Sequence, residues 1–323
     1  MRQAPRKKIV LTTPWTERAM AALRQDYEVA LFEGDLTSKA FLAALAGADA
    51  LCPVFYDTID RTLIGRLPGR LKLIAAFGVG TERIDIAAAG QAGITVSNTP
   101  QVVTEATADL TIGLMIAAMR GFSPGQHRLR EGRWTGPDVK DFLWHSVSGK
   151  TLGIIGLGRI GTAVAHRAKA FGMRLVYHSR RPKPGLEAEL GLEFKETLEA
   201  LLVDSDVVSL HVPLGPSTRH MIDAEALAHM RPTAVLVNTG RGPLVDEAAL
   251  AAALIDGRLF GAGLDVYEHE PTVHPDLLKC PNATLLPHMG TAAEETRTAM
   301  GLRVKANLDA FFSVGQALDP VAG

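Results

Sequence analysis

The stretch TLGIIGLGRIG, residues 151 to 161, constrains this chain more than any other. Gly156-x-Gly158-x-x-Gly161 follows an apolar run directly, and RIGTAVAHRAKAFG continues it with helical spacing. Glycine is common here, 31 in all, so the spacing alone would say little. Strand, glycine turn and helix in that order say much more. Such a turn lets backbone N–H groups approach a pyrophosphate at a helix N-terminus. Gly156, Leu157, Gly158, Arg159, Ile160 and Gly161 are therefore candidate dinucleotide-binding residues. Two look-alikes lack this context: FGVGTERI at 77–84 has no third glycine, and GAGLDV at 261–266 continues as a strand.

Around this unit, short apolar runs alternate with helical patterns. One series of expected strands is Ile9–Thr13, Val29–Phe32, Ala50–Val54, Leu71–Phe77 and Ile94–Ser97. A second is Thr151–Ile155, Arg174–His178, Val207–His211, Ala234–Asn238, Gly261–Val266 and Thr284–Leu286. Alternation of this kind selects right-handed βαβ units and parallel sheets. The expected fold is α/β with two doubly wound parallel-sheet domains, and 323 residues suffice for both. Long helices are expected from about Val102 to Met119 and from Ala292 to Phe312. The second has no strand after it and is expected to return to the first domain. Residues 1–100 and 291–323 then form a discontinuous substrate domain, and 101–290 a Rossmann nucleotide-binding domain. A cleft between such domains is the expected place for a ligand.

A net charge of −1 gives the chain no general attraction for nucleic acid or an anionic membrane. No run of 18 apolar residues offers a membrane span, and the basic start MRQAPRKKIVLTT has too short an apolar run for a signal peptide. Cys52 and Cys280 have no ligand spacing, so neither a metal site nor a disulfide framework is expected. Two unpaired thiols suit the reducing cytoplasm.

LVYHSRRPKPG, at 175–185, lies where a dinucleotide fold reads the ribose, about 20 residues past the first glycine. An acidic residue there would accept from a ribose 2′-hydroxyl and repel a 2′-phosphate. Here the turn holds Ser179, Arg180 and Arg181, a hydroxyl donor and two guanidinium groups that can grip phosphate in bidentate fashion. Each such bond contributes about 1.5–3 kcal/mol. The expectation is NADPH, with NADH bound more weakly. Lys183 adds positive potential, and His178 receives no role.

Three residues fall at or beyond the ends of the later strands, where open α/β sheets bind ligands: Arg241 in NTGRGPLVDEAAL, Glu270 in GLDVYEHEP and His288 in LLPHMGT. That set suits reduction of a 2-oxo acid. The new alkoxide needs a proton, and histidine is a natural donor near neutral pH. A carboxylate beside it favours the imidazolium and orients the ring. A guanidinium can grip the substrate carboxylate.

These blocks, with FGVGTERID and ATADLTIGLMIAAMR in the first half, make the whole chain resemble the D-isomer-specific 2-hydroxyacid dehydrogenases. The resemblance implies a nucleotide domain inserted into the substrate domain, and homodimers assembled mainly through the nucleotide domains. It implies Arg241 as substrate anchor, His288 as general acid/base and Glu270 as its partner. It places Asp265 near the nicotinamide and the Val79–Gly80 backbone on the substrate carboxylate, with Val54 in a small apolar pocket. Thr107, His211, Val212, Pro213, Thr218, Thr239, Gly240 and Gly290 complete the expected cofactor set. Within the family, the basic ribose turn and PHMGT ending are most similar to NADPH-dependent glyoxylate/hydroxypyruvate reductases. The alternatives are a reductase of a bulkier 2-oxo acid, such as phenylpyruvate, hydroxyphenylpyruvate or a branched-chain acid, and a nucleotide-sensing corepressor. Trp144 is expected either to reach the partner subunit's site or to serve as an ordinary aromatic. No appended C-terminal regulatory domain is expected.

Overall fold

The structure, a computed structural model, describes residues 6–137, 139–140 and 143–322. The chain divides into two compact units, Met1–Val103 with Thr291–Gly323, and Thr104–Gly290.

In the first unit β1 (Lys8–Leu11), α1 (Glu17–Asp26), β2 (Glu28–Leu31), α2 (Lys39–Ala44), β3 (Ala50–Cys52), α3 (Arg61–Ile64), β4 (Leu73–Ala75), α4 (Ile86–Gln91) and β5 (Thr95–Ser97) alternate. The strands form one parallel sheet in the order β2-β1-β3-β4-β5. Successive side chains point to opposite faces, and both faces are covered, so the strands are almost wholly apolar. Ile9, Leu11, Leu73 and Ala75 join one core, and Val10, Leu51, Ile74 and Val96 the other.

The second unit begins with α5 (Thr104–Met119) and α6 (Phe122–Arg130). It then alternates through β6 (Thr151–Ile155), α7 (Arg159–Ala170), β7 (Arg174–His178), α8 (Pro184–Leu190), β8 (Glu193–Phe194), α9 (Leu198–Asp204), β9 (Val207–Leu210), α10 (Ala224–His229), β10 (Val235–Asn238), α11 (Glu247–Ile255), β11 (Gly261–Leu264) and β12 (Ala283–Leu285). Its seven strands are all parallel, ordered β12-β11-β10-β9-β6-β7-β8. This is the doubly wound dinucleotide-binding order with a seventh strand added beyond the sixth. The order reverses between β6 and β9, where a ligand crevice opens in such sheets. Leu152, Ile154, Val235 and Val237 face the core under α5 and α7, while Ile155, Val208, Leu210 and Leu236 face the core under α9, α10 and α11. The last helix, α12 (Glu294–Val314), belongs to the first unit, and its Gly301 lies so close to α1 that a Cβ would stand 2.6 Å from Ala19.

Several strands are shorter than the apolar runs suggest. Leu71–Phe77 yields only β4, because ladder pairing to β3 and β5 is confined to residues 73–75. The two long helices start two residues later than expected, at Thr104 and Glu294. Two elements carried no usable signal: α6 contains Pro124 and Gly125, and β8 is a two-residue edge strand. No helix among the described residues is long and apolar enough to cross a membrane. Both cysteines are free and buried.

Candidate active site

The glycine turn joins β6 to α7, and each of its glycines has a different physical reason. Gly156 takes a φ of +94°, and a Cβ there would lie 2.7 Å from the His211 carbonyl oxygen. At Gly161 a Cβ would stand 2.2 Å from the Gly156 carbonyl oxygen, so helix and strand meet backbone to backbone. Around a Cβ at Gly158 nothing lies within 4 Å. This open side faces a cavity of about 680 Å³ lined by Gly156, Leu157, Gly158, Ser179, Arg180, Arg181, Lys183, His211, Val212 and Pro213. Gly158 is also the N-cap of α7 and brings no side chain to its N–H groups. A cavity of this size, a bare helix N-terminus and a guanidinium pair can receive the phosphates of a dinucleotide. Arg159 opens α7 on its exposed side, whereas Ile160 packs against the core.

Of the expected cofactor set, His211, Val212 and Pro213 reach this cavity. The His211 ring Nε2 lies 2.8 Å from the Ser209 hydroxyl, and burial pushes its pKa down to about 4. Thr218 does not line the cavity. Its hydroxyl donates to the Pro213 carbonyl at 2.8 Å and accepts from the Gly215 N–H at 2.8 Å, so it shapes the turn. Lys183, given only a general role from sequence, lines the cavity alongside the arginines.

A second group forms around Asp265, which follows β11 and is buried. Its carboxylate accepts from the Met289 N–H at 2.6 Å and the Gly290 N–H at 2.8 Å, and its carbonyl accepts from the His288 N–H at 2.8 Å. Asp265 thus clasps the turn 288–290 on both sides, and His288 is held at a φ of +53°. Burial pushes the Asp265 carboxyl up, against the opposing effect of those N–H bonds and of His288. Thr107 donates to the Gly290 carbonyl at 3.3 Å, and Thr239 shares a 2.8 Å hydroxyl contact with Thr111.

Arg241, Glu270 and His288 come from the segments after β10, β11 and β12. Glu270 Oε2 lies 2.7 Å from His288 Nδ1, and Glu270 Oε1 accepts from the Tyr267 N–H at 2.9 Å. Burial pushes the Glu270 carboxyl up, but the bond to His288, the His288 charge and Arg241 outweigh it and hold it below the usual range. Asn238 braces the Arg241 turn: its amide donates to the Arg241 carbonyl at 2.9 Å and its oxygen accepts from the Gly240 N–H at 3.0 Å. At Gly242 a Cβ would fall 1.8 Å from the Tyr267 carbonyl carbon, so only glycine lets the Arg241 turn lie against the Tyr267–Glu268 backbone.

Glu247 is a further member that sequence reasoning placed only at a helix start. It is 5% exposed, and its two oxygens accept from the Glu268 N–H at 2.5 Å and the His274 N–H at 3.2 Å. One buried carboxylate therefore holds both ends of the loop that carries Glu270.

In the first unit the loops after β3 and β4 run side by side through a parallel bridge between Val54 and Phe77. The Val54 N–H donates to Asp57 at 2.8 Å, and the Val79 carbonyl accepts from the Asn98 amide at 2.8 Å. Beside Val54 lies a cavity of about 360 Å³, lined mainly by Trp15, Phe55, Tyr56 and Phe77, with Thr13, Thr16 and Arg297 supplying polar edges. Gly80 is half-buried. Trp144 packs edge-on against Phe260 with centroids 5.5 Å apart. Among the described residues, no group of three or more His, Cys, Asp or Glu is placed to hold a metal ion.

Known proteins place this arrangement. Residues 112–290 match the family described as D-isomer specific 2-hydroxyacid dehydrogenase, NAD binding domain. A glyoxylate reductase of Thermococcus litoralis is 42% identical over 310 residues, covering 94% of this chain and 93% of the relative. The crystal structure of a glyoxylate reductase from Paecilomyes thermophila superposes with a TM-score of 0.87 at 40% identity, covering 98% of both chains. That of an NADPH-dependent glyoxylate/hydroxypyruvate reductase from Sinorhizobium meliloti, in complex with NADP and malonate, does so with 0.85 at 37% identity, covering 98% of this chain and 97% of the other. By fold, by strand order and by these similarities, the chain belongs to the D-isomer-specific 2-hydroxyacid dehydrogenases.

Proposed function

We propose that this protein reduces a small 2-oxo acid, glyoxylate or hydroxypyruvate, to the D-2-hydroxy acid, with NADPH preferred and NADH used more weakly. The observation that carries the reading is the 2.7 Å Glu270–His288 pair, set on a turn clasped by Asp265, with Arg241 braced on the adjoining segment. The nicotinamide nucleotide, when bound, supplies the hydride. Arg241 grips the substrate carboxylate with its planar fork. Glu270 holds Nδ1–H of His288, and Nε2 is assigned the proton that goes to the substrate oxygen as the hydride reaches carbon. Val54 and the Val79–Gly80 backbone are assigned the apolar wall and the second hold on the carboxylate. Ser179, Arg180 and Arg181 are assigned the 2′-phosphate. The Sinorhizobium meliloti relative, which carries NADP, supports the cofactor assignment.

One observation favours a second reading. The aromatic-lined 360 Å³ cavity beside Val54 exceeds what glyoxylate needs and fits the side chain of a bulkier acid such as phenylpyruvate. A panel of glyoxylate, hydroxypyruvate and phenylpyruvate, each with NADPH and with NADH, separates the two. The highest kcat/KM is expected with one of the first two and NADPH. A preference for phenylpyruvate would transfer the site to the aromatic acid, and no turnover with any would end the enzymatic reading.

The same reading extends to assembly in the cytoplasm as a homodimer. Phe122, Leu129 and Trp134 are 56%, 58% and 52% exposed on and just beyond α6, around a cavity of about 510 Å³ that Trp144 also lines. Exposed aromatic and aliphatic side chains interleaved with Arg120, Gln126 and Arg128 suit a contact with a second copy.

A further inference from the structure

The turn that carries Ser179, Arg180 and Arg181 is tied down from beneath. Tyr177, near the end of β7, is fully buried, with its ring 5.4 Å from that of Phe194. Its hydroxyl donates to Glu187 Oε1 at 2.5 Å and accepts from the Lys183 backbone N–H at 2.6 Å. The same N–H lies 3.3 Å from Glu187 Oε1. Both ends of the basic turn, residues 177 and 183, thus meet at one phenol, and the first turn of α8 supplies the carboxylate that completes the junction. Inside the loop, the Ser179 hydroxyl donates to the Arg181 carbonyl at 2.7 Å. His178, which sequence left without a role, fixes the outgoing strand through a 2.9 Å contact of Nδ1 with the Lys195 carbonyl. Pro182 and Pro184 fix φ on either side of Lys183. Burial and Glu187 push the Tyr177 hydroxyl up to about 12, so it stays a donor at any physiological pH.

Arg180, Arg181 and Lys183 are themselves exposed on the cavity side. Exposed cations on a loose loop lose conformational freedom when they close on a phosphate, and a loop already held in shape loses less. We propose that Tyr177 and Glu187 form a latch that sets selectivity for a 2′-phosphorylated dinucleotide by holding the 179–183 turn in its phosphate-gripping shape. They are positioning residues and touch no ligand themselves. This inference rests on the NADPH reading and deepens it.

Equilibrium titration of NADP+, NAD+ and 2′,5′-ADP into the intact protein tests it without depending on turnover. Tyr177→Phe keeps the ring that fills the core and removes only the hydroxyl. It is expected to weaken NADP+ and 2′,5′-ADP by about tenfold, because it removes both the charge-assisted bond to Glu187 and the bond from the Lys183 N–H. NAD+ should shift by less than about twofold, because it has no phosphate for the turn to grip. Glu187→Ala should reproduce this pattern, and it reads the same junction if the tyrosine variant does not fold. Equal weakening of NADP+ and NAD+, or no weakening of either, would overturn the latch. An Arg180→Ala/Arg181→Ala protein reads the underlying assignment separately. If it lost both nucleotides in parallel, the phosphate reading would fall and the latch with it. If it lost NADP+ selectively while the Tyr177 and Glu187 variants did not, only the latch would fall.

Discussion

Gly158 and Gly161, three residues apart in the same turn, should respond to alanine in opposite ways. At Gly161 the added Cβ would lie 2.2 Å from the Gly156 carbonyl oxygen and 3.3 Å from Ile154 Cγ2. Backbone on one side and a core strand on the other leave no flexible atom to yield. Overpacking of this kind costs about 1–3 kcal/mol. For a unit of this size each kcal/mol lowers Tm by about 2–4 °C, so Gly161→Ala should lose roughly 2–12 °C. Gly158 has a φ of −85° and a ψ of −165°, which alanine adopts without strain, and its Cβ would meet nothing within 4 Å. Gly158→Ala should therefore leave the nucleotide-free Tm unchanged or raise it, since an unstrained Gly→Ala change stabilises by about 0.4–1 kcal/mol. Its methyl would nevertheless stand in the cavity where a pyrophosphate must approach the start of α7. Loss of one charge-assisted bond, worth about 1.5–3 kcal/mol, corresponds to roughly a 10- to 100-fold loss in NADP+ affinity. Thermal unfolding without nucleotide and calorimetric titration with NADP+ read the two effects apart. Wild-type NADP+ affinity in Gly158→Ala would refute the cradle, and a Tm within a degree of wild type in Gly161→Ala would refute the packing argument.

Glu270 should carry a pH signature. Its carboxyl is held below the usual range in the folded state, so the stability it contributes is fully present above the unfolded value of about 4.3 and is lost as pH falls through the depressed value. Glu270→Gln should accordingly show a shallower fall of Tm than wild type on acidification below about pH 4, and parallel curves would count against an ionised Glu270–His288 pair. For assembly, sedimentation velocity should find wild type as a dimer and Phe122→Asp/Leu129→Asp as a monomer. A monomeric wild type would remove the α6 contact.

The sheets were legible because both faces of each are buried, which turns strands such as VLVN at 235–238 into short apolar runs between helical patterns. Their ends were less so, since ladder pairing stops before the apolar run does, as at Leu71–Phe77. The α6 helix was hidden by Pro124 and Gly125, residues that normally argue against a helix interior. The glycine turn, the arginines and the Arg241, Glu270, His288 set were legible because a parallel sheet delivers strand ends to one edge. What the sequence could not display is who holds these residues. Thr218 looks like a cofactor ligand, yet its hydroxyl belongs to the 213–218 turn. Tyr177 looks like core, yet its hydroxyl fastens the basic turn.

Those supports share a pattern. Asp265 takes the N–H groups of Met289 and Gly290, Glu247 those of Glu268 and His274, and Glu187 the phenol of Tyr177 with the Lys183 N–H beside it. In each case a carboxylate from one segment engages donors that bear on the next functional loop. A carboxylate accepts several bonds at once, and charge-assisted bonds are stronger than neutral ones, so a single side chain can fix a loop that has no ladder partner. The benefit appears at His288, whose left-handed backbone is uncommon for a non-glycine residue and persists only where its surroundings over-determine it. Asp265 is bonded on both sides of that residue, and Glu270 meets its imidazole at Nδ1. Glu270 combines both kinds of partner, the Tyr267 N–H on one oxygen and the His288 imidazole on the other, so the carboxylate that orients the ring is itself anchored to backbone.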